Sequence, residues 1–475
     1  MDHPEGIPAE AASSHRQDSV GFHPVSQNLQ TARRTRAPSL LRPRVVRHGA
    51  EGGLGGHDGV IVRFATLQLF TVIYLQKLAV GPLSFQVSLT IPIMLIHVCF
   101  LLISGRMQFA LLRLGCYLAF AASCCLSQVI SGERFSLPSI AELLLIYSFL
   151  TVTTQVSEQA YQVVLKRFVS LMIIPAVIVL FQYVFQKVTG LGNPLSMDRM
   201  FPKSILLQGY FYEAHYPWNS PFQRPNGFFF LEPSVVSMFT ASAAIIELTY
   251  FKRLRYVLLM IGATALSMGG TGMTMLVIAA PFLLARESVP RILVVAVAAA
   301  AALAVALEAD VSLPLISRLG ELSQASSSGS GRMLIPAEHL ARLLVDPSHF
   351  LTGSGAGSTT AEFGLAWAIL KLINEYGLLT TVIYVALYVM AFAGTYNVPL
   401  RIAISVIFHF TGGYLLDAMG VQFMAIIFCM IVPYRPASQG RRPGAYVGAA
   451  DADERMNRTA FQTSTAIIRD PATRA

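Results

Sequence analysis

Apolar residues in this chain come in long unbroken runs, with neither the strict alternation of a half-buried strand nor the single stripe of a soluble amphipathic helix. A membrane-crossing helix needs about 20 mostly apolar residues. Windows of that kind fall near residues 61–80, 83–103, 107–130, 137–156, 168–188, 228–250, 256–270, 271–285, 291–309, 374–394, 400–417 and 418–433. The expected fold class is therefore all-α, a polytopic membrane protein of about twelve spans, three of them short. The embedded domain covers residues 61–433. Residues 1–60 are rich in Ser, Pro, Gly, His and Arg without sustained periodicity and read as a disordered tail, as do residues 434–475. The basic run RRTRAPSLLRPRVVRH, residues 33–48, suits either contact with anionic lipid or a solvated positive segment that fixes topology. No apolar run opens the chain, so insertion through its own spans is expected in place of a cleavable signal.

Composition agrees with the pattern. The 475 residues are 54% hydrophobic and 13% charged, with a mean hydropathy of +0.56, which excludes an ordinary soluble protein. The net charge of +9 is scattered between apolar runs, so it points to membrane topology and not to nucleic acid. With the amino terminus inside, the inner loops carry Arg106, Lys166, Arg167, Lys252, Arg253, Arg255, Arg286, Arg291, Arg401, Arg435, Arg441 and Arg442. The short outer turns carry only Arg134. Both termini are thus expected in the cytoplasm. The five cysteines lie in apolar runs without zinc-site spacing and read as small buried hydrophobes. No metal or cofactor is expected, and no GxxxxGK[ST] suggests ATP hydrolysis. Asp451 to Asp453 form a DAD in the second tail and receive no role.

Two outer loops, about 189–227 and 310–373, break the rule of brevity, and loops of that length are usually functional. They place Arg199, Lys203 and Arg224, then Arg318, Arg332, Arg342 and Lys371, where topology gives no reason for positive charge. A guanidinium grips phosphate through a rigid fork and stays charged, which suits a pyrophosphate leaving group. The alternative for each loop arginine in the second segment is a pair with Glu321, Glu338 or Asp346; the set as a whole reads as anion-binding. Glu232 stands at the mouth of an apolar helix beside Pro233, with Arg224 upstream. It serves either as a functional carboxylate or as a structural ion-pair partner at a helix start. His215, His339 and His349 lie in the outer loops, where each is a candidate base. SSSGSG, Ser326 to Gly331, reads as a hinge or gate. GSGAG, Gly353 to Gly357, either lets backbone N–H groups approach an anion or forms a plain turn. Lys77 and Arg113 are expected to snorkel and Asp417 to face water at a span boundary.

These motifs together resemble the bacterial O-antigen and exopolysaccharide polymerase (Wzy-type) and ligase superfamily. The match runs through R-x-x-G-x-x-x-x-E-P-S (Arg224, Gly227, Glu232, Pro233, Ser234), the Gly-rich hairpin SMGGTGM (Ser267 to Met273) and S-G-R (Ser330 to Arg332). It continues through D-P (Asp346, Pro347), the glycines Gly353, Gly355 and Gly357, and NEYGLL, Asn374 to Leu379, as the opening of the next span. R-x10-G spacings of the kind seen in O-antigen polymerases occur from Arg318 to Gly329 and from Arg342 to Gly353, both in the second loop. STTAEFGLAWAILKLIN holds no histidine for the ligase His-Asn pair, which favours the polymerase branch.

The resemblance implies a metal-independent inner-membrane glycosyltransferase acting at the periplasmic face on polyprenyl-pyrophosphate-linked oligosaccharide. It also implies a flippase and a chain-length regulator as partners. Arg224 and Arg332, with Arg318 and Arg342 secondary, are then expected to hold pyrophosphate, with Glu232, His339 or His215 as base and Gly227, Gly353, Gly355 and Gly357 shaping the loops. Two rivals remain open: a transporter or flippase, which would show broken helices at matching positions in two halves, and a non-catalytic assembly subunit.

Overall fold

The computed structural model describes residues 56–81, 86–131, 136–208, 210, 215, 222–285, 328–345, 347–359, 366–394, 396–411 and 415–434, without the side chains of 198 and 328–334. Residues 1–55 and 435–475, the expected span at 291–309, Arg318 and Asp346 lie outside the described residues, and residues 56–60, expected to belong to the first tail, open a helix instead. Every other expected span contains a helix. In chain order they are α1 Gly56–Tyr74, α2 Thr90–Ile103, α3 Leu111–Ser131, α4 Leu137–Ser148, α5 Glu158–Thr189, the short α6 Met197–Met200, α7 Pro233–Ile246, α8 Leu254–Leu266 and α9 Gly270–Leu284. There follow α10 Ser328–Val345, α11 Pro347–Thr352, α12 Ala368–Phe392, α13 Val398–Phe410 and α14 Ala418–Met424, which runs on as a π-helical turn to Met430. Among the described residues four helices are long and apolar enough to cross a membrane: Leu111–Ser131, Glu158–Thr189, Pro233–Phe251 and Ala368–Phe392. Six further apolar helices have 10–17 residues, and α1 has 19.

Several boundaries depart from the hydropathy windows because short strands end the helices. Residues 152–156, expected to be helical, form strand β4 between β3 (Gln108–Phe109) and β5 (Ile431–Pro433). The β4 sequence VTTQV is rich in β-branched residues, which suit a pleated strand better than a helix turn. A second, two-stranded ribbon joins β1 (Ala79–Val80) to β2 (Val87–Ser88) in the α1–α2 connection. α3 and α5 both start at the three-stranded sheet and run toward the two long loops, so the bundle has a sheet end and a loop end.

The centre is aromatic and aliphatic: Phe168, Phe239 and Phe423 stack across α5, α7 and α14, and Tyr147 and Tyr384 meet edge to face. The cysteines are only partly as expected. Cys124 and Cys429 are buried, whereas Cys99 and Cys125 lie on outward helix faces. Two polar residues expected to snorkel are instead enclosed. Lys77 is 0% exposed and Arg113 is 9% exposed, the latter donating to the carbonyl oxygen and Sγ of Cys429.

The glycine-rich hairpin before α9 acts through close approach, the device by which membrane helices pack when no solvent drives them together. A Cβ on Gly269 would fall 2.5 Å from the Pro233 carbonyl oxygen, and one on Gly272 would overlap the Ser237 carbonyl and hydroxyl oxygens. Ser237 stitches the contact, donating to Gly269 O (2.7 Å) and accepting from Gly272 N–H (3.0 Å). The α9 start thereby fixes the first turn of α7. We expect Gly272→Ala to destabilise the detergent-solubilised protein by more than about 2 kcal/mol in thermal unfolding, because the obstacle is backbone that has no room to move. Gly262→Ala, with nothing within 4 Å of its added Cβ, should be near neutral.

Candidate functional site

The loop end is built on buried glutamines. Gln182 and Gln186 lie one turn apart on α5, inside what reads as an apolar span. The Gln186 amide pairs with the Gln223 backbone in both directions, donating to its carbonyl (2.9 Å) and accepting from its N–H (2.8 Å). Gln182 donates to Leu195 O (3.0 Å) and accepts from Gly227 N–H (3.0 Å). The Gln223 side chain in turn accepts from Asn193 N–H (3.2 Å). The segment Gln223–Gly227, which contains Arg224, is therefore clamped at both ends although it is loop in sequence. Gly227 takes φ +65°, and a Cβ there would meet Val236 Cγ2 at 3.1 Å. His215 bridges Gln223 in antiparallel fashion, so its backbone lies beside the residue preceding Arg224. Arg224 itself is half-buried, while Arg199 and Lys203 are exposed.

Glu232 lies at a helix start, but not within the helix as expected: α7 begins at Pro233 and Glu232 is its extended N-cap. Its carboxylate accepts from Ser234 Oγ (2.9 Å), and the preceding Leu231 N–H donates to Gln76 Oε1 (3.3 Å). Asp417, the N-cap of α14, lies within electrostatic reach of Glu232. Contrary to the expectation of a water-facing boundary residue, Asp417 is 5% exposed. Its carboxyl oxygens lie near the N–H groups of Gly420 and Met419 without closing a hydrogen bond of normal geometry. Asp417 also lies in electrostatic reach of Glu142 on α4, which faces Lys371 on α12. Four carboxyl groups, Glu142, Glu232, Glu375 and Asp417, thus gather with Lys371 near the loop end.

The second loop is held by a similar device. Gln128 on α3 accepts from Ala356 N–H (2.7 Å) and donates to Glu375 O (3.3 Å), and Ser127 Oγ donates to Thr352 O (2.6 Å). Gly353, Gly355 and Gly357 all take left-handed φ, between +82° and +92°. Their N–H groups are not turned to an open anion site. Gly353 N–H donates to His349 O, Ser354 N–H to Asn374 O (2.7 Å) and Gly355 N–H to Glu375 O (3.2 Å), while Gly357 and Thr359 face the Glu375 carboxylate. The protein's own Glu375 is the anion at this turn. α12 supplies those carbonyls because it breaks at Gly377, which takes φ +80° and ψ 171° nine residues into the helix; NEYGLL is therefore a break inside the span and not its opening. A Cβ at Gly377 would strike the Leu351 carbonyl.

The other expected site residues divide. His339 is buried, 5% exposed, on α10, so it is not an outer-surface base. Arg342 is exposed on the same helix. Residues 328–331 of the expected hinge are the first turn of α10, and Arg332 lies in that helix, its side chain outside the described residues. The structure therefore holds Arg224 in a clamped segment, with the His215 backbone beside Gln223 and Glu232 five residues beyond Gly227 at the head of α7, and it encloses Asp417, which sequence reasoning set aside. Its signal was available: an acidic residue between two apolar runs, immediately before a helix. Also unforeseen is a polar chain through the core, in which Tyr147 donates to Leu415 O (3.2 Å) and meets Tyr384 (3.4 Å), which reaches His409 Nε2 (3.1 Å). Among the described residues no group of three or more His, Cys, Asp or Glu side chains is placed to hold a metal ion. No family model matches the chain, and neither a curated protein nor a solved structure matches it.

Proposed function

We propose that this chain is a multi-pass inner-membrane glycosyltransferase that polymerises polyprenyl-pyrophosphate-linked oligosaccharide repeat units at the periplasmic face, with about twelve spans and both termini in the cytoplasm. The observation that carries the reading is the fixed placement of the R-x-x-G-x-x-x-x-E-P-S segment: Arg224 on a glutamine-clamped loop and Glu232 at the head of α7, with Asp417 within electrostatic reach. Held loop arginines suit a diphosphate leaving group, since a preorganised guanidinium needs no rearrangement as charge develops on the departing oxygen. The acceptor sugar hydroxyl must lose its proton, and Glu232, a carboxylate at the helix head near Arg224 in sequence, is the base assigned to take it, with His339 or His215 as alternatives. Energy for the transfer resides in the donor's pyrophosphate bond, so ATP has no place in the scheme. In it Arg224 and Arg332 grip pyrophosphate, with Arg318 and Arg342 secondary, and the flippase and chain-length regulator of the same pathway are the expected partners.

Arg224→Ala and Arg332→Ala are each expected to abolish long polymer while the protein inserts at normal levels; polymer of wild-type length from either variant removes that arginine from the scheme. One observation favours a second reading. The break in α12 at Gly377, with Lys371 3.8 Å from Glu375 beside it, is the kind of discontinuous helix that transporters use at substrate sites. A deletion strain separates the two. Loss of a polymerase leaves single lipid-linked repeat units at the outer face, whereas loss of a transporter leaves them inside.

A further inference from the structure

The sheet end contains a cavity of about 220 Å³ that the loop-end chemistry does not use. Arg113 at the start of α3 and Arg401 at the start of α13 both line it, with Tyr161, Tyr396, Phe392 and Cys429. Arg401 donates one hydrogen bond to Phe392 O (2.8 Å), and Arg113 donates to Cys429 O (3.3 Å) and its Sγ. These acceptors are neutral, and the bonds engage one terminal nitrogen on each guanidinium, which carries five N–H donors in all. No Asp or Glu lines the cavity. Among the described residues neither arginine makes an ion pair, and the buried Glu247 at this end is already taken by Arg253. The two tyrosine hydroxyls are committed to Ile427 O (2.9 Å) and Pro433 O (3.0 Å), which leaves the aromatic rings as apolar wall.

A buried guanidinium such as that of Arg113, with the half-buried one of Arg401 beside the same cavity and no acidic side chain lining it, is costly unless an anion enters. A phosphate oxygen pair matches the guanidinium fork, and basic pockets between membrane helices at the cytoplasmic side take phospholipid headgroups. This end also carries Arg106, whose carbonyl accepts from Thr154 of β4, and the Lys252–Arg255 turn, joined to the start of α13 by Asn397 N–H donating to Tyr250 OH (3.1 Å). It is the positive end of the described bundle and so the cytoplasmic one under the proposed topology. We infer that the Arg113–Arg401 cavity is a binding site for a phosphate-bearing anion at the cytoplasmic end of the protein. The inference is independent of the polymerase reading and survives its failure.

Native mass spectrometry and thermal shift on the full-length detergent-solubilised protein test it, with phosphatidylglycerol, phosphatidylcholine and inorganic phosphate as probes. Saturable binding of phosphatidylglycerol that inorganic phosphate does not displace identifies an inner-leaflet lipid headgroup. Saturable binding of inorganic phosphate alone identifies a soluble anion. In either case Arg401→Gln and Arg113→Gln should each bind about tenfold more weakly, and Arg401→Lys, which keeps the charge and loses the fork, should fall between. Wild-type protein that binds neither probe saturably overturns the inference without recourse to any variant. So does phosphatidylcholine binding as tightly as phosphatidylglycerol with no binding of inorganic phosphate, or equal affinity in wild type and both glutamine variants.

Discussion

Backbone that leaves a helix inside an apolar bundle must find hydrogen-bond partners within the protein, and here glutamine side chains supply them. Gln76, Gln128, Gln182 and Gln186 are all buried at the loop-end portions of their helices or just beyond, and each binds backbone of a segment distant in sequence. A side-chain amide suits the task because it offers a donor and an acceptor spaced like those of a peptide group. Gln186 uses both on the Gln223 backbone, which fixes the direction of the bound chain as well as its position, while Gln128 ties two segments together through one side chain. Without such clamps the loops carrying Arg224 and Gly353–Gly357 would leave buried polar groups unpaired, each a cost on the order of 1–3 kcal/mol.

On that frame the carboxylates take their places. The α7 head is pinned by the glycine contact with α9 and by Gln76, so Glu232 is held within electrostatic reach of Asp417, the N-cap of α14. Enclosing a carboxyl group as Asp417 is enclosed costs stability, and a protein keeps such an arrangement at that expense when the site uses it. Glu375 is a contrasting case. It is also buried, but N–H groups from the second loop and Lys371 surround its carboxyl group, which shapes the GSGAG turn.

The two ends of the bundle differ in kind. At the loop end positive and negative side chains converge on clamped loops; at the sheet end arginines and lysines predominate, and one cavity between helices is lined by two of them. The β3–β4–β5 sheet ties the α2–α3 connection, the α4–α5 connection and the chain beyond α14 into one layer. It gives this end a rigidity that separate helix termini lack.

Much of the architecture was legible in the chain itself. Unbroken apolar runs require helices in an apolar surrounding, and the stretch from Arg224 to Ser234 stood out because charge and proline interrupted such runs. Spacing along the chain could not show that Gln182 and Gln186 face a loop, since a glutamine within a hydropathy average looks like a minor blemish in a span. Nor could it show that residues 152–156 pair as a strand with residues 431–433, or that the N–H groups at Gly353–Ala356 are taken up by α3, α11 and α12. Asp417 became enclosed, within electrostatic reach of Glu232, and Gly377 a helix break, only through contacts between segments far apart in sequence. Helix formation depends on neighbours within a few residues and is therefore written locally, whereas burial, hydrogen-bond partnership and the meeting of charges depend on which helices pack, a decision that belongs to the folded bundle as a whole.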